Sequence, residues 1–194
     1  MPRALAVVKV GGSLYDLPDL GPRLQRWLKQ APAENVLLVP GGGPTANAVR
    51  DFDHIHQLGE EQAHWLALEA LFLNAHFLAC LLPSARFVDH PGQILACRTS
   101  ILNPVAFLRR EEASSSEGCL PHTWSVTSDS VAARAAVSFG AECLILLKSV
   151  TIPKEMDWEE AGACGFVDEW FARTVRAGGS GLQVRAVNLR EWRP

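Results

Sequence analysis

Ala4-Leu5-Ala6-Val7-Val8-Lys9-Val10-Gly11-Gly12-Ser13 carries a short apolar run directly into a pair of glycines. Strands buried on both faces of a parallel sheet have this composition, near-continuous Val, Leu and Ala with no polar alternation. The pattern returns at Val36-Leu37-Leu38-Val39-Pro40, which also ends at glycines, Gly41-Gly42-Gly43. Between the two runs Leu20, Leu24, Trp27 and Leu28 recur at helical spacing. The spacing predicts a β-α-β unit with a right-handed crossover, and so an α/β fold.

Downstream, a second helix is expected from near Pro44 through Val49 and Phe52, and a third from about Glu60 to Leu82 with a broad apolar stripe. Arg86 to Ala96 is expected to form short strands around a His90-Pro91-Gly92 turn, and Pro104 to Arg110 a short helix with proline in its first turn. Glu111 to His122, with Ser114-Ser115-Ser116 and Gly118, has loop composition. Asp129 to Phe139 is alanine-rich and stops at Gly140, as a closely packed helix would. Leu144 to Leu147 predicts another buried strand, Asp168 to Arg176 a helix, and Val184 to Val187 a last strand.

The 194 residues are 48% apolar and 20% charged, which suits one globular domain over residues 1–194. A net charge of -3 gives no broad basic field, and Arg109-Arg110 and Arg190 to Arg193 are too short for a nucleic-acid track. Polymer nucleic acid is excluded as a partner on that ground. Cys80, Cys97, Cys119, Cys143 and Cys164 contain no C-x-x-C pair and are expected to be reduced core thiols. Ala63 to Leu82 is interrupted by His64, Glu69, Asn74 and His76, so a buried or interface helix is expected there rather than a membrane span. A cytoplasmic location follows as an expectation, and the breadth of that apolar face makes a homo-oligomer possible.

Chemistry concentrates at the strand ends. Glycines just past a strand let backbone amides approach an anion, and Lys9 adds positive charge beside Gly11, Gly12 and Ser13. Alone, this is equally a tight turn with a solvated lysine. Gly41, Gly42, Gly43 and Thr45 repeat the arrangement at a helix start, where free amides and the helix dipole favour phosphate. Adjacent parallel strands would bring both turns to one carboxyl edge, where open α/β sheets bind ligands. Neither turn matches G-x-x-x-x-G-K-[ST] or G-x-G-x-x-G. Thr127, Ser128 and Asp129 lie at a helix start and could simply cap it, or Asp129 could orient Lys9 or hold Mg2+. Lys148 and Ser149, past the fourth apolar strand, are placed to reach ATP phosphates or to be surface groups. His64 could face a ligand, whereas Asp51, Asp53, His54 and His56 read as a solvated helix end; no fixed protein metal site is expected. The absence of G-x-S-x-G excludes a serine hydrolase of the elbow type.

In order, Val7 to Leu14, Val39 to Gly43, Thr127-Ser128-Asp129 with its alanine-rich helix, and Leu144 to Val150 resemble the amino-acid kinase superfamily, which includes aspartate, acetylglutamate, uridylate and isopentenyl phosphate kinases. Ala63 to Ala67, Leu120 to Asp129, Val167-Asp168 and Val187-Asn188 look most like its compact [5-(aminomethyl)furan-3-yl]methyl phosphate kinases of methanofuran biosynthesis. The resemblance implies a three-layer α/β/α sandwich on a mainly parallel central sheet, and transfer of the ATP γ-phosphoryl group, with Mg2+, onto a small phosphate monoester. Other acceptors within the superfamily are an isoprenoid phosphate, UMP or an amino-acid carboxylate; a non-catalytic phospholigand-binding homologue is the remaining alternative. It makes Lys9, Asp129 and Lys148 candidate catalytic residues, Gly11, Gly12, Ser13 and Ser149 ATP-side residues, and Gly41, Gly42, Gly43, Thr45, His64, Thr127 and Ser128 acceptor-side residues. Larger relatives place a second lysine after a glycine-methionine loop; the comparable stretch here, Gly162 to Glu169, has none, and Lys148 is the candidate to stand in for it.

Overall fold

A computed structural model describes residues 4–96, 98–114 and 118–193. Its strands are β1 (Leu5–Val10), β2 (Asn35–Pro40), β3 (Arg86–Val88), β4 (Thr99–Leu102), β5 (Cys143–Lys148) and β6 (Gln183–Asn188). They form one sheet in the order β3-β4-β2-β1-β5-β6, parallel throughout. The helices are α1 (Leu20–Lys29), α2 (Gly43–His56), α3 (Glu60–Leu81), α4 (Pro104–Ser114), α5 (Ser128–Ser138), α6 (Trp158–Ala163) and α7 (Phe171–Ala177). After β1 the chain builds to one side through β2, β4 and β3, then returns to lay β5 against the other side of β1. That reversal makes the carboxyl ends of β1 and β5 the place where a crevice opens.

Every residue of β1 and β2 is buried, which explains their lack of polar alternation. Side chains alternate between two cores, one on each face of the sheet. Leu5, Val7, Leu37, Leu144 and Leu146 pack with α4, α5 and α7 through Phe107, Val131 and Phe171. Ala6, Val8, Val10, Leu38, Ile145 and Leu147 pack with α1, whose Leu20, Leu24, Trp27 and Leu28 form the expected stripe. Burying one such leucine contributes about 1.5–3 kcal/mol. Helix α3 serves both cores, Leu68 and Leu71 in the first and Ala75 and Leu78 in the second. By length and composition α3 could cross a membrane, and here it packs on the sheet.

Several local expectations need correcting. Residues 86–96 hold one strand, β3, followed by a 3-10 turn over Pro91–Ala96, and the second strand is β4. Thr99-Ser100-Ile101-Leu102 is too short to show a period, and its pairing with β2 and β3 forms the strand. Helix α4 continues through Glu111–Ser114, where a loop was expected, because the Glu111 carboxylate is held by Arg134 Nε at 2.7 Å and Ser138 Oγ at 2.9 Å. Helix α6 was not expected at all, although Asp157 and Glu160 cap it reciprocally. The last helix starts at Phe171 rather than Asp168, whose side chain turns to α5 instead. Of the expected core thiols, Cys143 is half-buried and packs against the core on the α1 side, Cys119 is half-buried, Cys80 and Cys164 are exposed, and Cys97 lies outside the described residues.

Candidate active site

Strand alternation decides where the lysines go. Lys9 follows Val7 on β1 and Lys148 follows Leu146 on β5, so both extend from the sheet face that carries α5. Asp129, in the first turn of α5, meets them there. Its Oδ1 lies 2.9 Å from Lys9 Nζ and its Oδ2 accepts from Lys148 Nζ at 2.7 Å, while Lys148 also donates to the Phe166 carbonyl at 2.7 Å. All three side chains are buried. Burial works to raise the Asp129 carboxyl, but the two ammonium groups together outweigh it and hold it below the ordinary carboxylate range. For Lys148, burial and the charge of Lys9 push the ammonium down to about 8, with Asp129 opposing them. Two cations on one anion leave a net positive edge, suited to an anion arriving from solvent. Since both Asp129 oxygens are occupied by ammonium groups, Mg2+ there would have to displace a lysine.

The two glycine turns interlock at this edge. A Cβ on Gly12 would sit 2.1 Å from the Gly43 nitrogen, and one on Gly41 would sit 2.3 Å from the Gly12 nitrogen. Gly43 has φ +55°, a conformation that side chains rarely adopt. Gly11 N donates to Leu147 O at 2.8 Å, tying the first turn to β5. The packing role and the anion-binding role are thus compatible, because close packing is what gathers the amides of both turns. Asn74 secures the second turn from α3, its Nδ2 lying 2.7 Å from the carbonyls of Gly41 and Gly42 and from Thr45 Oγ1. Tyr15 Oη accepts from Gly41 N at 2.8 Å and donates to Gly41 O at 3.1 Å, and burial raises its phenol well above the ordinary value.

A cavity of about 280 Å³ opens beside these groups. Lys9, Gly11, Gly12, Ser13, Gly42, Gly43, His64, Thr127, Ser128 and Lys148, all candidates from the sequence, line it. The remaining candidates support it from behind or at its rim. Gly41 is packed under Gly12, Thr45 donates to Gly42 O at 2.7 Å, and Asp129 lies beneath the lysines. Ser149 Oγ and Ser13 Oγ are hydrogen-bonded at 2.8 Å across the β1 and β5 ends. Apolar groups, Leu68, Leu71, Trp124, Val126 and Val131 among them, cover much of the wall, with Glu60 and His64 contributed by α3.

Capping proves true for Thr127, whose Oγ1 accepts from Asp129 N at 3.2 Å. Asp168 completes that helix end: its Oδ2 takes Thr127 Oγ1 at 2.7 Å and the amides of Thr127 and Ser130 at 3.0 Å, and its Oδ1 takes Trp170 N at 3.0 Å and Ser130 Oγ. A carboxylate so fully supplied with donors positions α5, and through it Asp129. Asp53 is likewise structural, accepting from Trp124 Nε1 at 2.7 Å and Gly59 N at 3.2 Å. Asn74, Tyr15 and Asp168 were given no site role from sequence. The available signals were Asn74 itself, a polar residue inside the apolar run of α3, and the Val167-Asp168 pair noted in the resemblance.

Residues 4–151 match the amino acid kinase family. A [5-(aminomethyl)furan-3-yl]methyl phosphate kinase of Methanocaldococcus jannaschii is 29% identical over 129 residues, 64% of this chain and 56% of that protein. The match therefore spans little more than half the length of that relative. Among solved structures, uridylate kinase from Archaeoglobus fulgidus superposes with a TM-score of 0.64 at 16% identity, covering 96% of this chain and 92% of the other. UMP kinase from Bacillus anthracis gives a TM-score of 0.61 at 12% identity, covering 98% and 89%. These structural likenesses show the fold, and the family match over 4–151 spans both glycine turns, Lys9, Asp129 and Lys148. The chain belongs to the amino acid kinase family.

Proposed function

We propose that this chain transfers the γ-phosphoryl group of ATP onto a small phosphate monoester, and that the acceptor is [5-(aminomethyl)furan-3-yl]methyl phosphate or a close analogue. The observation that carries the phosphotransfer is the buried Lys9, Asp129 and Lys148 group at the carboxyl edge of β1 and β5, beside two interlocked glycine turns. In this proposal an acceptor phosphate oxygen attacks the γ-phosphorus, the bond to the β,γ-bridging oxygen breaks, and ADP leaves with that electron pair. A phosphate dianion is already an adequate nucleophile, so no general base is needed. Lys9 and Lys148 spread the negative charge on the transferred group, and Asp129 holds both ammonium groups in place before substrate arrives. Gly11, Gly12, Ser13 and Ser149 attend the nucleotide phosphates, and Gly42, Gly43 and the start of α2 the acceptor phosphate. Mg2+ would enter with the nucleotide and neutralise its phosphate oxygens.

The acceptor assignment rests on the cavity wall and on the M. jannaschii relative. A flat ring fits the apolar lining of Leu68, Leu71, Val126 and Trp124, and Glu60 offers a carboxylate to an amine. Release of ADP should be compared across the aminomethylfuran phosphate, its analogue without the amine, isopentenyl phosphate, UMP and glutamate. The first should have the highest kcat/KM, and deletion of the amine should cost about tenfold, the worth of one charge-assisted contact. Preference for UMP or a carboxylate would overturn the acceptor and leave phosphotransfer standing.

The depressed Lys148 ammonium gives a pH signature. Only its charged form can hold phosphoryl oxygens, so kcat/KM, which reports the free enzyme, should decline as pH rises through about 8. A profile flat up to the ordinary lysine range, about 10.4, would contradict a role for Lys148. A self-associated protein fits the exposed Leu66, Leu73 and Phe77 on α3. Light scattering that gives a monomer mass at high concentration would exclude self-association.

A further inference from the structure

His64 on α3, His122 in the segment before α5, and Glu112 on α4 come together beside the cavity. His64 is only 9% exposed, yet its Nε2 has no hydrogen-bond partner. A buried nitrogen without a partner has given up its hydration and gained nothing in return, and a bound ligand would supply the missing partner. His122 Nε2 meets Glu112 Oε1 at 2.7 Å, and His122 Nδ1 meets Glu61 Oε2. One ligand atom from each of His64, His122 and Glu112 lies within 4.8 Å of the others.

We infer that His64, His122 and Glu112 form a binding site for a divalent transition-metal ion of the zinc class, distinct from the Mg2+ carried by ATP. Two imidazole nitrogens and one carboxylate are a donor set for zinc and a poor one for Mg2+, which prefers oxygen. Tetrahedral bonds of about 2.0–2.1 Å set donor atoms roughly 3.3 Å apart, so His122 Nε2 and Glu112 Oε1, now 2.7 Å apart, must open slightly while the wider spread of the three atoms, within 4.8 Å, closes. The two rings now stack with centroids 4.1 Å apart and planes 13° from parallel, so one ring must turn to share an ion with the other. On binding, the ion replaces the proton that His122 Nε2 shares with Glu112, and Glu61 stays on Nδ1. A carboxylate on the far nitrogen is the outer-shell partner that metal-bound histidines usually have, and it fixes the ring. Three protein ligands leave one position open. His64 is also part of the cavity wall, so an ion held by it would lie at the edge of that cavity, within reach of water.

The site stands on the geometry of these side chains and does not depend on the phosphotransfer proposal. The test is a Co2+ titration of chelator-stripped, untagged protein, read by its visible d–d absorption. One equivalent of Co2+ should give intense tetrahedral bands, one equivalent of Zn2+ should abolish them, and excess Mg2+ should not. His64→Ala should weaken Co2+ binding at least a hundredfold and Glu61→Gln about tenfold, as outer-shell changes do. Circular dichroism of each variant separates loss of the site from loss of fold. If the wild-type protein takes up no stoichiometric Co2+ or Zn2+, the inference fails whatever the variants do. It fails equally if folded His64→Ala and His122→Ala bind as the wild type does.

Discussion

Lys9→Ala should lower kcat about a hundredfold while the protein stays folded. Lys9 Nζ lies 2.9 Å from Asp129 Oδ1, and its place on β1 directs it to the edge where phosphoryl charge develops. Losing one pre-positioned donor of this kind costs roughly 3 kcal/mol of transition-state stabilisation, which converts to about that factor. The fold should survive because Asp129 keeps Lys148 at 2.7 Å and is not left as a lone buried charge. The variant carries a second signature. Lys9 is one of the causes that depress Lys148, so its removal should move the basic limb of the rate profile above pH 8. Unchanged turnover, or a hundredfold loss accompanied by unfolding in thermal melts, would remove Lys9 from the chemistry.

Gly12→Ala should be the most damaging single methyl group in the molecule, acting on stability and phosphate binding together. The new Cβ would lie 2.1 Å from Gly43 N and 2.5 Å from Gly43 Cα, which are backbone atoms with no rotamer to escape into. The turns must separate, and overpacking of this kind costs about 1–3 kcal/mol or more. A comparable change at Gly140, where a Cβ meets nothing within 4 Å, carries only the strain of φ +62°. A lower melting temperature for Gly12→Ala than for Gly140→Ala, with loss of phosphate-analogue binding in the former, is the expected pair of results. Equal melting temperatures would mean that the turns are not in contact as described.

The contrast between these glycines shows what the sequence could convey. Strands β1, β2 and β5 were legible because central parallel strands are buried on both faces and read as apolar runs. Strand β4 was not, since four residues beginning with Thr99-Ser100 take their form from neighbours on both sides. At the site, Lys9 and both glycine turns announced themselves by their place at strand ends. Asn74, Tyr15 and Asp168 did not, because each works through a contact to a segment 26 to 41 residues away. Asp129 lay between these cases. Its place at a helix start suited a cap equally well, and its contact with two lysines depends on strand alternation, which turns Lys9 and Lys148 to the same face. The cluster of His64, His122 and Glu112 joins α3, α4 and the segment before α5, so no local spacing in the sequence betrays it.

The central claim is that the Lys9, Asp129 and Lys148 group moves a phosphoryl group from ATP to a phosphate monoester. Phosphorus NMR of the protein with ATP, Mg2+ and [5-(aminomethyl)furan-3-yl]methyl phosphate tests it directly. The monoester resonance should be replaced by the two coupled resonances of a diphosphate as ADP accumulates in equal amount, and Lys9→Ala should slow this about a hundredfold. ATP left intact, or ADP and inorganic phosphate formed with the monoester unchanged, would contradict it.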